Sequence, residues 1–567
     1  MGFMLTPPPD TPGKAWPAIV IGLFVAFGGV LFGYDTGTIS GILAMDYWKA
    51  SFSTTPDRSI TASQDSLIVS ILSAGTFFGA LTAAPFGDLL GRRFGLMASA
   101  GLVFNLGVIL QTASTRQPLF IAGRFFAGYG VGLVSALSKF TCPVPQNSRK
   151  PRSTRNKADD ASLAFPCTNP ETSPKWIRGT IVGAYQLAIT IGLFLAAIVN
   201  NSTKNRDDSG SYRIPVAVQF LWSLILVIGL IFLPETPRYL IKTDRYDQAA
   251  KSLAKLRRLP VDDPAIIEEL NEVQANHLYE MSLGKSTYIE CFRGTLGKRL
   301  LTGCALQALQ QLTGVNFIFN KPQSTTGPST LRTQVSRTPS SSQVITNSVN
   351  VASTFPGLYL VEKLGRRNLL LMGAIGMCVC QFIVGGVGMH ADSTVDSGNT
   401  DIAAQKASIA FVCIYIFFFA SSWGPVAWVV TGEMFPLKAR AKCLSMTTAS
   451  NWLLNWAIAY STPYMVDSDH ANLRSKVFFV WGSFCFVCIG FVFFMIYETK
   501  GLTLEQVDEL YGVVSKAWKS KEFRPQLQFA ELEPTGDRKL SLAEAAANQE
   551  RKRSVQHEEA PAATEKV

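Results

Sequence analysis

Charge is scarce in this chain. Of its 567 residues only 16% are Asp, Glu, Lys or Arg, against about a quarter in soluble globular proteins, which excludes an ordinary water-soluble domain. Histidine is scarcer still, with four in the whole chain. There is no metal-ligand cluster and no Ser/His/Asp constellation, so the sequence offers no metal, no cofactor and no enzymatic site. The ten cysteines lie mostly in apolar runs or beside basic loops, on the side of a membrane where thiols stay reduced, and a disulfide framework is excluded with them. Cys485 and Cys488 form a C-x-x-C inside an apolar run. They read as small apolar residues at a helix contact, not as a redox or metal motif.

What is abundant is apolar: 47% of residues, gathered in runs of about twenty, the length that crosses about 30 Å of hydrocarbon with the backbone bonded internally. Such runs fall near 17–42, 66–86, 94–113, 119–138, 179–199, 215–233, 299–319, 343–361, 368–388, 408–430, 444–464 and 477–497. The first is too long for a secretory signal and reads as a span. The net charge of +11 does not point to nucleic acid, because the basic residues occupy alternate loops. That pattern encodes orientation and places both termini in the cytoplasm. On the opposite face Asn200 and Asn201 each open an N-x-Ser/Thr sequon, a possible glycosylation site.

The spans divide into two groups of six. The expected organisation is a disordered N-terminus over 1–16, a first half over 17–233, a cytoplasmic connector with short helices over 234–298, a second half over 299–512 and a disordered tail over 513–567. An internal repeat supports the division. GDLLGRR at 87–93 follows the second span and VEKLGRR at 361–367 the eighth, while PETPRYL at 234–240 leaves the sixth and YETKGLTLEQ at 497–506 the twelfth. Parallel halves of this kind place a substrate site near the midplane and expose it to each side in turn by rocking.

Polar side chains inside the spans are costly in lipid and should face a cavity. Gln310, Gln311 and Asn316 can line one wall, and such amides with an aromatic face suit a sugar. Asp35 and Arg124 are single opposite charges in two helices of the first half and are expected to pair in the interior. The run Gly128, Gly130 and Gly132 reads as close helix contact, since no P-loop lysine follows.

In order along the chain, FGYDTGTISG at 32–41, GDLLGRR, GRFFAGYGVGL at 123–133, SPKWIRG at 173–179, PETPRYL, QQLTGVN at 310–316, VEKLGRR, WGPVAWVVTGEMFP at 423–436, SNWLLNW at 450–456 and ETKGLTLEQ at 498–506 resemble the sugar porter family of the major facilitator superfamily, fungal hexose transporters above all. The resemblance implies an all-α membrane protein of twelve spans, a multi-pass protein of the plasma membrane that acts as a monomer. It implies transport of a hexose by alternating access, as a facilitator or as a proton symporter, with a non-transporting glucose sensor as the alternative on the same scaffold. The resemblance assigns sugar contacts to Gln186, Gln310, Gln311, Asn316, Asn350, Trp428, Asn451 and Asn455, and proton coupling to Asp35 with Arg124. It also implies a cytoplasmic salt-bridge network joining the two halves, made of Asp88, Arg92, Arg93, Arg178, Glu235, Arg238, Glu362, Arg366, Arg367, Glu433, Arg440 and Glu498.

Two segments depart from the family. Residues 138–170 are polar where the pattern has a short Val-Pro-Met-Tyr stretch, and 320–342 interrupt the seventh span. Re-read one frame over, Ser324 to Pro328 can yield Tyr-Tyr-Gly-Thr and Ala164 to Pro170 can yield Val-Pro-Met-Tyr-Gln-Ser, both expected by the family. Codons for Ser138-Lys139 can hold an intron-donor-like GTAAG. Retained intron sequence and frame errors are the hypothesis for both segments, and a product inactivated by them is an alternative to a transporting chain. Sequencing the transcript is expected to return the family pattern at both places; a message encoding 321–341 as written here sinks this explanation.

Overall fold

A computed structural model describes residues 16–53, 60–138, 178–264, 266–267, 269–271, 273–274, 287–320, 339–396, 402–436, 439–466, 470–502 and 504–523. Most of both anomalous segments, 139–170 and 321–338, lies outside these residues, as do 1–15 and the tail from 524 onward.

Apolar runs fold into helices because only that conformation satisfies the backbone within a single segment. In the first half these are α1 (Trp16–Ala26) and α2 (Gly28–Ile42), which form one span, then α3 (Asp46–Phe52) on the surface and α4 (Ala62–Leu90). The third span is α5 (Arg92–Ala98), a π-helical turn (Ser99–Phe104) and α6 (Asn105–Thr112). There follow α7 (Gln117–Leu137), α8 (Arg178–Thr203) and α9 (Gly210–Phe232). The connector holds α10 (Pro237–Lys242) and the amphipathic α11 (Tyr246–Arg257). In the second half come α12 (Gly294–Leu312) and α13 (Val315–Asn320), together the seventh span, then α14 (Pro339–Leu364) and α15 (Arg366–Asp396). The tenth span joins α16 (Ile402–Phe418), a second π turn (Phe419–Trp423) and α17 (Gly424–Glu433), and is followed by α18 (Arg440–Val466), α19 (Val477–Met495) and α20 (Leu504–Val513).

Among the described residues nine helical stretches are long and apolar enough to cross a membrane by themselves. The crossings that complete the twelve are α12 with α13, α14 and α18, and these carry most of the intramembrane amides. They fall short because their polar side chains turn inward. The outside of the bundle is apolar instead: Leu102 and Phe232 are more than 70% exposed, an arrangement that only a lipid surrounding makes favourable.

Close approach of backbones builds each half. Gly29, Gly33, Gly37 and Gly41 repeat every fourth residue along α2 and lie against α8, where a Cβ on Gly33 would come within 2.0 Å of the Ile189 carbonyl oxygen. Small residues are what allow helices to pack this tightly in a bilayer. The glycines of α7 do the same work in two directions. Gly128 and Gly132 seat against Leu72 and Thr76 of α4, and Gly130 against Phe104 of the first π turn. Asn200 seals the end of the α2–α8 contact, donating to the carbonyls of Gly37 (3.0 Å) and Thr38 (3.3 Å). Its sequon is thereby occupied as a helix contact, while Asn201 stands exposed beside Lys204. Cys485 and Cys488 are buried free thiols directed at carbonyls of α12 and the turn after it.

The tail differs from expectation. It remains ordered past residue 513, through α20 and a 3₁₀ turn (Ala517–Glu522). Aromatic packing accounts for this: Tyr497 lies 4.5 Å from Tyr511, and Trp518 stacks on Phe493 at 5.9 Å.

Replacing Gly33 by alanine forces α2 from α8 and is expected to cost about 1–3 kcal/mol, the range for overpacking. Gly386→Ala, where nothing lies within 4 Å of an added Cβ, leaves thermal unfolding in detergent unchanged. Equal unfolding midpoints for the two variants would refute the close-packing account.

Candidate functional site

A cavity of about 60 Å³ lies between the halves, room for a few waters. Gln186, Gln310, Gln311, Asn316, Asn350, Trp428, Asn451 and Asn455 all line it, with Phe32 and Thr36 among the rest. The polar wall belongs mainly to the second half, whereas Tyr185 and Gln186 of α8 and Thr36 of α2 are the first half's polar contribution.

The amides form one connected set. Asn451 donates to the side-chain oxygens of Gln307 (2.8 Å) and Gln310 (2.9 Å), and accepts from Gln311 (2.9 Å). Gln310 donates to the carbonyls of Trp423 (2.8 Å) and Gly424 (3.1 Å), in the turn where the tenth span changes from π to α geometry. Asn316 donates to Asn455 (2.9 Å) and to Gln311. A simple helical wheel through residues 310–316 does not produce this contact. The helix breaks at Gly314, whose φ is +84°, and the break brings Asn316 back toward Gln311. A side chain at 314 would meet the indole of Trp481. Gln307 is a member that the sequence reading did not include. It donates to Thr431 (3.2 Å), and its position one turn before Gln310 and Gln311 was the available signal. Asn350 keeps a buried side-chain oxygen without a hydrogen-bond partner, as does Thr36.

Asp35 and Arg124 meet as expected. Their closest charged atoms are 3.6 Å apart, with side chains 0% and 2% exposed. Gln219 donates to Asp35 Oδ1 at 3.0 Å, and Arg124 Nε donates to the Ile68 carbonyl at 2.9 Å. Asp35 Oδ2 is buried without a hydrogen-bond partner.

The two halves touch at both ends of the cavity. Between α4 and α18, Ser66 donates to the Tyr460 carbonyl (2.9 Å) near one end and Ser445 to the Ala80 carbonyl (2.5 Å) near the other. Between α8 and α14, Asn347 donates to Leu193 (3.4 Å) and Thr180 to Leu358 (3.3 Å). These contacts join the halves through two pairs of helices.

The charged motifs build one structural unit twice. Gly91 and Gly365 take φ of +84° and +86°. After Gly91, Glu235 accepts the Arg93 backbone N–H at 3.2 Å, and Arg93 reaches the Ile231 carbonyl at 2.7 Å. After Gly365, Glu498 accepts the N–H groups of Arg366 (2.9 Å) and Arg367 (3.2 Å), and Arg367 reaches the Phe493 carbonyl at 3.0 Å. A Cβ at Gly365 would fall 2.5 Å from the Glu498 carboxylate, so glycine and glutamate require each other. Burial pushes the Glu235 carboxyl above its ordinary range, against the pull of the Thr236 and Arg93 N–H groups and the Arg92 charge.

These charges bind each half to itself. Arg366 bridges Glu433 (3.0 Å) and Glu362 (3.1 Å), and Asp88 pairs with Arg92 (3.6 Å) and with Lys242 (2.8 Å) of the connector. Arg440 donates to the Gly432 carbonyl. Among the described residues these bonds lie within each half, and the serines of α4 and α18 bond across from one half to the other. The side chains of Arg178 and Arg238 lie outside the described residues.

With this architecture in view, the relatives agree. The structure superposes on a proton:xylose symporter of the major facilitator superfamily, XylE, bound to 6-bromo-6-deoxy-D-glucose, with a TM-score of 0.68 at 23% identity over 88% of this chain and all of that one. It also superposes on the partially occluded inward-open form of XylE from E. coli with a TM-score of 0.64, at 23% identity over 86% of this chain and 99% of that one. The fold is that of the major facilitator superfamily. The family model described as "Sugar (and other) transporter" matches residues 21–143 and 161–511, and the break in the match falls within the polar segment noted above. The chain belongs to the sugar transporter family, whose members move solutes across membranes and are not enzymes. It is 59% identical to the major facilitator-type transporter ecdD of Aspergillus rugulosus, over 93% of each chain. It is 47% identical to the probable glucose transporter rco-3 of Neurospora crassa, over 93% of this chain and 85% of that one.

Breaking the buried Arg366 cluster leaves Glu433 and Glu362 without their shared cation, at a cost of about 3–5 kcal/mol for a pair of this kind. Arg366→Ala is expected to lower the unfolding temperature clearly, while Lys49→Ala, at an exposed pair, leaves it in place. An unchanged midpoint for Arg366→Ala would contradict the assigned role.

Proposed function

We propose that the chain carries a hexose of the glucose type across the plasma membrane by alternating access, as a monomer with both termini in the cytoplasm. The observation that carries this reading is the amide set of α12, α13, α14 and α18 that lines, together with Trp428, a cavity between the halves. Amides offer a donor and an acceptor side by side, which matches adjacent sugar hydroxyls, and an indole offers a face to the ring's C–H groups. The glucose transporter of Neurospora among the relatives supports the substrate class.

On binding, Asn316, Gln311 and Asn451 exchange bonds with one another for bonds to the sugar. That exchange ties the seventh span to the substrate. Opening to one side then breaks the Ser66 or the Ser445 contact while the charge clusters keep each half rigid.

Proton coupling is favoured by Asp35. Its free Oδ2 can take a proton, and neutralising the carboxylate releases Arg124 from its only charged partner in that pair. Uptake of labelled glucose by transport-deficient cells expressing the chain with a corrected seventh span tests both levels. Gln311→Ala is expected to raise KM by about tenfold or more, the cost of an unmatched polar group, and Asp35→Asn to abolish accumulation while leaving exchange. Uptake that survives a protonophore assigns facilitated diffusion instead. No sugar-dependent uptake, with glucose-dependent signalling retained, assigns a sensor, as in the 40% identical high glucose sensor RGT2 of Saccharomyces cerevisiae.

A further inference from the structure

The sugar site and its gates leave unexplained why the chain beyond the twelfth span is held so firmly. Trp518 stacks on Phe493 (5.9 Å, 11° between planes) and meets Phe494 edge-on (5.8 Å, 82°). Both phenylalanines face outward in the last turn of α19 and are about half exposed, so they mark the lipid-facing wall of the bundle. The Tyr497 hydroxyl donates to the Val514 carbonyl (3.1 Å), and buried Ser520 accepts the Glu498 N–H (2.9 Å) and donates to the Ala517 carbonyl (2.6 Å). A Trp at the end of a membrane helix sits at headgroup height, and these bonds hold it there.

Around that indole the exposed residues are basic. Lys516, with its Nζ 5.5 Å from the Trp518 ring, is joined by Lys519 and Lys521 on the same short turn. Lys500 and Lys363 extend the surface, tied together where Lys500 Nζ donates to the Lys363 carbonyl at 2.7 Å. Glu522 is the exposed acid on the turn. Five exposed lysines beside outward-facing aromatics make a surface that is apolar toward the bilayer and cationic at its edge.

We propose that residues 516–521, with Lys500 and Lys363, form a binding surface for anionic phospholipid headgroups at the cytoplasmic end of α19, Trp518 setting its depth. Lys516 sits beside the indole that stacks on lipid-facing rings, and Lys519 and Lys521 share its turn, which favours a lipid over an acidic protein partner. Clusters of lysines just cytoplasmic of a span attract anionic lipid in this manner. Because Glu498 bonds both Ser520 and the Arg366–Arg367 turn, lipid held on this turn bears directly on the charge cluster of the second half.

The test uses the purified full chain in detergent, titrated with phosphatidylserine or phosphatidylcholine, with retained lipid counted by native mass spectrometry. Binding in detergent does not depend on which face is cytoplasmic, so failure of the proposed orientation cannot imitate failure here. Phosphatidylserine is expected to be retained in preference to phosphatidylcholine. The triple variant Lys516→Gln/Lys519→Gln/Lys521→Gln should weaken that retention by about fivefold per lysine, on the order of a hundredfold in all. Lys49→Gln/Lys204→Gln, at the other end of the bundle, should leave it unchanged. An unaltered unfolding midpoint for the triple variant without added lipid shows that the turn stays folded. Equal retention of the two lipids, or equal loss in both variants, overturns the proposal, as does capture of an acidic protein by a triple-lysine surface that shows no lipid preference.

Discussion

A polar group that enters the bilayer is costly unless it finds a partner inside the protein, and most of this structure follows from that constraint. Water cannot repair an unbonded amide or an isolated charge at that depth. Backbones therefore close into helices, and charges meet in the interior, as Asp35 and Arg124 do at 3.6 Å. The helices richest in Gln and Asn turn those side chains toward one another. The cost of an unmatched amide thus gathers the ligand-binding groups into one place before any ligand arrives.

The same constraint accounts for the tight helix pairs. Lipid gives helices no hydrophobic reason to associate, so packing and shared bonds have to hold them. The glycine stripe of α2 brings its backbone onto α8, and Asn200 completes the contact with bonds to two carbonyls. Each half is assembled from such contacts and fastened at its charged end by an arginine turn on a half-buried glutamate. Among the described residues the halves are bonded to each other through Ser66, Ser445, Thr180 and Asn347. Alternating access requires the contacts between the halves to break on one side at a time.

Much of this was legible along the chain. The twelve runs, the two groups of six and the repeated Gly-Arg-Arg and Glu motifs describe the fold, because spans are encoded locally by length and composition. The repeat extends to geometry, with Gly91 and Gly365 sharing a left-handed backbone beside Glu235 and Glu498. Gln307 was not legible as a partner of Asn451, since an amide inside an apolar helix carries no mark of the helix it faces. Nor was the ordered turn at 517–522, where a polar, lysine-rich composition conceals one tryptophan able to stack on two phenylalanines.

Sequence by itself determined that this chain is a bundle of membrane helices, which of its residues are too polar to face lipid, and where its two halves divide. These are matters of local composition and spacing. Only the tertiary structure decided which polar groups meet. It placed Asn316 on Gln311 across the break at Gly314, set Arg366 between Glu433 and Glu362, and joined the halves through α4 with α18 and α8 with α14. The reason is physical: a buried hydrogen bond depends on distances of a few tenths of an ångström between helices far apart in the chain, and those distances exist only once all twelve are packed.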